Sequence, residues 1–462
     1  MSQLFQTLFI SLFFVVIARQ YATGVFADYL VASSMYQLVA AFSTMGMGQW
    51  FVREVVGVSD RPAFINRFLK TQIYFGLLFY FVNVALAYLM YSSPTVRELI
   101  VLFGANIIFD NIIGVIRQLN VADFEQRKTF IILTIEAFLK LLVATALFLY
   151  PIPVTTFTLL LLLLRLLTLN LFLRYGSSSQ VSLRSLWRSR IAVADVLQLL
   201  RTNWAFIIIG GVSVINWRIA TIIIAKTLTA LDVANYEISF KLFSIAQILP
   251  IIVSTTVFPL LIRLYATQAI SMFRQFYYRA HVYYLLFGLF AYTFVYTFID
   301  SLLPLVFGAK YAFTGEYARQ MFLTILVFPT ALLQANVLIA LKLEKQDMLF
   351  NTVALLINVL VCLVGLHYVK SLQIINYSIF VSFLVFHALQ DVLLVRRGII
   401  SLRHVLGFYG GSAGFIFGFV GLSQLLWPPL LFGICWLGCL YWLFRSGKLR
   451  PQLSRELAGV SP

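Results

Sequence analysis

Apolar runs of about twenty residues recur from one end of the chain to the other, separated by short polar turns. As a helix, a run of this length crosses the roughly 30 Å hydrocarbon core of a bilayer, since each residue advances about 1.5 Å. Lipid offers no hydrogen bonds, so a spanning segment has to satisfy its own backbone. The expected fold class is therefore an all-α integral membrane protein with about fourteen transmembrane helices. Their expected positions are 3–22, 28–51, 71–91, 98–117, 129–150, 154–173, 203–226, 234–260, 281–303, 317–341, 349–369, 374–395, 405–426 and 428–445.

Composition agrees. Of 462 residues, 61% are hydrophobic and 11% charged, against about half and a quarter in soluble domains. The first run reads as a span and not a cleavable signal, because it lacks a small-residue cleavage site and more spans follow at once. Cys362, Cys435 and Cys439 all lie in apolar runs and read as packing residues.

The net charge of +17 would suggest a nucleic-acid partner in a soluble protein. Here the distribution of bases explains it. With the N-terminus in the cytoplasm, 24 of the 34 Lys and Arg fall at cytoplasmic segments or helix ends and 6 on the opposite side, while 4 lie within spans. That bias follows the positive-inside rule. It requires no nucleic acid, and with an even span count it places both termini in the cytoplasm.

The longest polar connection, residues 174–202, divides the chain. Its stretch Ser182 to Leu200 carries Arg184, Arg188 and Arg190 beside an apolar face, the pattern of an interfacial amphipathic helix. Residues 1–173 then form an N-terminal lobe of six spans and 203–395 a C-terminal lobe of six. Residues 396–462 add two further helices and a basic cytoplasmic tail. The lobes read as diverged copies. Ala27-Asp28-Tyr29 opens the second span and Ala234-Asn235-Tyr236 the eighth; Glu125-Gln126-Arg127-Lys128 precedes the fifth and Glu344-Lys345-Gln346-Asp347 the eleventh. Six spans separate each pair, so the copies run in parallel, an arrangement common in transporters.

Charges within apolar runs are costly and face a bundle interior or a wet cavity. The set here is Asp110, Glu136, Lys140, Arg165, Arg218, Glu237, Lys241 and Asp391. Glu136 with Lys140, and Glu237 with Lys241, stand at i, i+4 and can neutralise one another. Arg218 has no acid within a turn of it, so its partner has to come from another helix, water or an anionic ligand. A cation-lined cavity would suit a diphosphate, whose oxygens match the planar guanidinium fork. Enzyme readings fare poorly. The four histidines have no metal-ligand spacing, no DxD-like cluster or phosphate-binding GxxxxGK[ST] loop occurs, and no large external loop offers room for a catalytic domain. No cofactor or metal is expected.

Several short stretches resemble a known family. Ala18-Arg19-Gln20 with Gly24-Val25-Phe26-Ala27-Asp28-Tyr29 resembles the opening of Wzx-type O-antigen and polysaccharide flippases, a branch of the multidrug/oligosaccharidyl-lipid/polysaccharide exporter superfamily. Met45-Gly46-Met47-Gly48-Gln49 followed by Arg53-Glu54 is similar to the end of that family's second helix. Tyr236 through Lys241-Leu242, then Ile248-Leu249-Pro250 and Pro259-Leu260, is similar to its eighth, and Phe307-Gly308 with Tyr311 to its motif after the ninth. The resemblance covers about the first 400 residues. It implies two six-helix lobes, alternating access, a plasma membrane and a polyprenyl-diphosphate-linked oligosaccharide as substrate. Polymerase and glycosyltransferases of the same pathway are implied partners. One departure concerns coupling: the family's acid after the base of the seventh helix, as in RID, is absent from Arg218-Ile219-Ala220.

The leading expectation is a flippase for lipid-linked glycans. Arg218 and Lys241, with Arg53, Lys140 and Arg165, would hold the diphosphate, and Glu237 or Asp110 would respond to protons. A multidrug or cation antiporter of the same superfamily is the first alternative and would want an acidic cavity. A membrane-embedded lipid-linked sugar polymerase or transferase is the second.

Overall fold

The computed structural model describes residues 2–44, 46–177, 201, 211–212 and 214–445. The expected interfacial helix from Ser182 to Leu200, the start of the seventh span and the basic tail lie outside the described residues. Every regular element among those described is helical. In chain order they are α1 (Ser2–Gln20), α2 (Thr23–Ser43), α3 (Gly48–Gly57), α4 (Arg61–Met90), α5 (Pro94–Ala122), α6 (Gln126–Thr145), α7 (Val154–Tyr175), α8 (residues 214–227), α9 (Ala230–Ala266), α10 (Ile270–Phe307), α11 (Thr314–Phe322), α12 (Phe328–Ala340), α13 (Glu344–Tyr368), α14 (Leu372–Arg396), α15 (Leu402–Leu422) and α16 (Pro428–Arg445). Twelve helices are long and apolar enough to cross a membrane, with α11 and α12 counted as one and a 3-10 turn extending α6. The apolar part of α1, Phe5–Gln20, is shorter, and α8 carries the described end of the seventh run. The all-α class and the approximate number of spans therefore agree with the sequence.

The starts are written locally. The Asp60 side chain accepts from the Ala63 amide ahead of α4, with Pro62 in the first turn. Ser93 does the same for α5 ahead of Pro94, and Ser401 caps α15. Such caps satisfy amides that a helix start leaves open, and proline fits where no N–H is needed.

Two spans depart from the expected outline. The run expected over 28–51 ends at Ser43, and its tail belongs to the separate helix α3. Gly46 has φ +59°, a left-handed conformation that lets the chain leave α2. Met47, Phe51 and Val55, one turn apart, then bury the same face of α3 against Phe68 and Ile116. The span expected over 317–341 is broken by a 3-10 turn at Leu323–Leu326 ahead of Pro329. Proline has no N–H to offer the carbonyl four residues back. That carbonyl, on Ile325, lies so close to Gly288 of α10 that a Cβ there would sit 2.7 Å from the oxygen.

The chain divides into two compact units. The first holds Met1–Ile245, Leu303–Tyr317 and Lys345–Ser382; the second holds Ala246–Leu302, Ala318–Glu344 and Phe383–Pro462. In the first unit α5 is central, packing against α2, α4 and α7, while α6 packs on α1 and α7. Asn111 fastens this centre: its side-chain amide donates to the Gln72 carbonyl at 2.9 Å and its carbonyl accepts from the Ser43 hydroxyl at 2.8 Å.

A candidate anion cavity beside α5, α6 and α7

Arg165 sits in the middle of the apolar run of α7, where a guanidinium needs acids on neighbouring helices. Both packing partners supply one. Its Nε donates to Asp110 of α5 at 2.9 Å, and Nη2 donates to the same carboxylate. Nη1 donates to Glu136 of α6 at 2.5 Å. Lys140, one turn beyond Glu136, adds an ion pair at 2.6 Å, as the i, i+4 spacing predicts. The Tyr36 hydroxyl of α2 donates to the other oxygen of Asp110. Four helices are thus tied through one network of charge-assisted hydrogen bonds, the strong kind.

Tyr36, Glu136, Lys140 and Arg165 of this network line a cavity of about 650 Å³ within the first unit. Arg117, Glu136, Lys140 and Arg165 line it, together with the amides of Gln37, Asn106 and Gln118 and the rings of Tyr29 and Phe103. Asp110 and Glu136 balance Arg165 and Lys140. Arg117 is left over. Its side chain is exposed in the cavity and makes no ion pair among the described residues. The cavity and its supports therefore carry one excess positive charge. The Asn106 side-chain carbonyl, buried on the same wall, has no hydrogen-bond partner. Arg117 is the last residue of the run expected over 98–117, where a base reads as a helix-end charge. The signal that finds it is spacing: it lies seven residues, two turns, after Asp110 and so on the same face of α5.

A second cluster in the same unit gathers around Glu237 of α9. Arg218 of α8 approaches both of its oxygens at 3.4 Å and lies 5.1 Å from the Phe240 ring centroid. Thr221 donates to Glu237 at 2.5 Å and Ser34 of α2 at 3.1 Å. Arg218 thus finds its acid on the next helix. The expected local pair of Glu237 with Lys241 is not made. The carboxylate is turned toward Arg218, Thr221 and Ser34, and the Lys241 ammonium stands 5.8 Å from the Phe14 ring. Arg53 joins neither cluster. It lies on the exposed face of α3 and pairs with its neighbour Glu54 at 2.9 Å, because Met47, Phe51 and Val55 claim the buried face.

No protein-family model matches the sequence, and no curated protein matches it either. Solved structures do. The lipid II flippase MurJ in its inward closed conformation superposes with a TM-score of 0.73 at 13% identity, covering 95% of this chain and 98% of that one. The fold is that of the MATE and MurJ transporters. An inward-facing multidrug resistance MATE transporter of the MOP superfamily aligns with a TM-score of 0.69 at 12% identity, covering 86% of this chain and 96% of the other. A MOP superfamily transporter from Pyrococcus furiosus Vc1, described as having a binding pocket of reverse polarity that suggests a different function, aligns with a TM-score of 0.57 at 13% identity over 86% of this chain and 93% of its own.

Proposed function

We propose that this protein is a flippase that carries a polyprenyl-diphosphate-linked oligosaccharide across the plasma membrane by alternating access, for cell-surface polysaccharide synthesis. The observation that carries this reading is a junction of two cavities. The basic cavity shares Gln126 and Phe130 with a mainly apolar groove of about 750 Å³, lined by Phe5 and Phe9 of α1 and Ile131 and Ile135 of α6, with Arg127 and Thr134 also on its lining. A polar basic chamber bordering an apolar groove fits an amphiphile with an anionic head and a hydrocarbon tail. A cationic drug would be repelled by the excess charge.

In this reading Arg117 and Lys140 meet the diphosphate first, since neither is fully enclosed by protein. Arg165 is a positioning residue, held by two carboxylates and holding the wall in place. Arg218 and Lys241 form a second basic station further along the chain. Partners are the lipid-linked glycan, membrane lipids, and the polymerase and glycosyltransferases that make and use it.

The test is flipping in proteoliposomes of a fluorescent, short-chain polyprenyl-diphosphate disaccharide, read by loss of accessibility to an external quencher. Arg117→Glu reverses the excess charge. It should lower the rate at least about tenfold, the equivalent of one lost charge-assisted contact of about 1.4 kcal/mol. Wild-type rates in Arg117→Glu, or transport of a cationic dye with no movement of the lipid, would overturn the reading.

A further inference from the structure

The second unit contains a buried carboxylate that neither cluster above uses. Asp391 of α14 is 4% exposed and His387, one turn earlier, is wholly buried. Asp391 accepts from the Gln334 amide of α12 at 2.7 Å through Oδ1 and from the Tyr409 hydroxyl of α15 at 3.0 Å through Oδ2. His387 Nδ1 lies 3.0 Å from the same Oδ2 and 2.7 Å from the Tyr409 oxygen. Behind them, Tyr277 of α10 receives the Gln334 amide at 3.4 Å. His281 of α10 and His404 of α15 face each other at 3.2 Å, with the Phe408 ring packed against both His281 and His387.

Tyr409 has one hydroxyl proton and gives it to Asp391. His387 Nδ1, within bonding distance of that same hydroxyl oxygen, therefore has to donate, so its proton sits on Nδ1. Nε2 of His387 then keeps a lone pair, and it is buried with no hydrogen-bond partner. Asp391 has no Lys or Arg in ion-pair range among the described residues; its one titratable ion-pair partner is His387. With Asp391 ionised, the network carries a charge of minus one in a place where an uncompensated charge is expensive. One added proton, on the open imidazole nitrogen or on the carboxylate, brings it to zero. A second would recreate a buried charge of the opposite sign. The other titratable groups facing it, Tyr277, Tyr409, His281 and His404, are neutral in this arrangement.

From this geometry we propose that His387, Asp391 and Tyr409 form a one-proton binding site that couples transport to the proton gradient. The coupling half of the proposal rests on the flippase reading; the proton site does not. Histidine is suited to the task because its ordinary titration lies near neutral pH. The acids first expected to respond to protons are worse candidates. Glu237 and Asp110 each face a guanidinium that keeps its charge at any physiological pH. A proton added there would leave the cluster with an unbalanced positive charge.

Two measurements on the full-length protein separate the claims. The first is infrared difference spectroscopy in lipid nanodiscs during pH steps, with no substrate present. The wild type should show one titrating signal, either a carboxylic C=O band that Asp391→Asn removes or an imidazolium ring band that His387→Gln removes. Removal of that signal by Asp110→Asn or Glu237→Gln, or the absence of both bands, would overturn the proton site. The second is the ratio of flipping rates with and without an imposed gradient of one pH unit, which a one-proton step can raise by at most about tenfold. The ratio should exceed one in the wild type and fall to one in both Asp391→Asn and His387→Gln. A wild-type ratio of one refutes the coupling while leaving the flippase reading in place. Failure of the wild type to flip the lipid at all sinks that reading instead, and the infrared titration still decides the site.

Discussion

The two units treat a buried acid in opposite ways. In the first, Asp110, Glu136 and Glu237 all face guanidiniums, and Glu136 has Lys140 as well. In the second, Asp391 is held by an amide, a phenol and an imidazole, none of which carries a fixed charge. Guanidinium pairs lock the charge state and make the acid part of the scaffold. Neutral donors hold the carboxylate in place yet leave its protonation free to change. The contrast teaches that an intramembrane acid is classified by what it touches, since all four look alike in sequence.

The largest test of that contrast is Arg165→Ala. It strands Asp110 and half of the Glu136 interaction in a buried wall, and loss of one partner of a buried pair costs about 3–5 kcal/mol. The variant should be scarce in the membrane and unfold early in detergent. Adding Asp110→Asn to it should recover part of the loss, and no recovery would refute the pairing as the cause. Arg218→Ala comes next, at about 1–3 kcal/mol, because Thr221 and Ser34 still donate to Glu237. The double variant Arg218→Ala with Glu237→Gln should regain thermal stability but not flipping; a double variant that flips normally would make this cluster purely structural. The smallest effects give the sharpest comparison. Asp110→Asn should destabilise by about 1–3 kcal/mol, while Asp391→Asn should be neutral or stabilising, since it removes a costly charge and keeps most of the hydrogen bonds. If both substitutions shift the detergent melting temperature in the same direction by the same amount, the distinction between the units fails.

Much of this was legible before any coordinates. Span number, helical class and the Glu136–Lys140 pair follow from run length and i, i+4 spacing. The same spacing misled at Glu237 and Lys241, because a local pair forms only if no better partner packs nearby, and helix packing is not written in spacing. His387 and Asp391 also stand four apart, and that signal was passed over because histidines were weighed only as metal ligands. Arg117 shares a helical face with Asp110, which spacing shows, but only the cavity reveals that nothing neutralises it. The run expected over 28–51 includes Gly46, whose left-handed backbone ends α2, and Arg53 falls on the exposed face of the separate helix α3.

The Arg165 network also bears on how the protein is made. A lone arginine at the centre of an inserting helix costs about 2.5–3.5 kcal/mol. When the ribosome delivers α7, its acids on α5 and α6 have already been synthesised and can receive it. Arg218 meets the reverse schedule, because Glu237 leaves the ribosome nineteen residues later. The helix carrying Arg218 therefore has to wait at the translocon, or enter together with α9 as a hairpin. A nascent chain arrested with α8 emerged and Glu237 still inside the ribosome should leave that helix poorly inserted, whereas one arrested once α7 has fully emerged should hold Arg165 firmly in the bilayer.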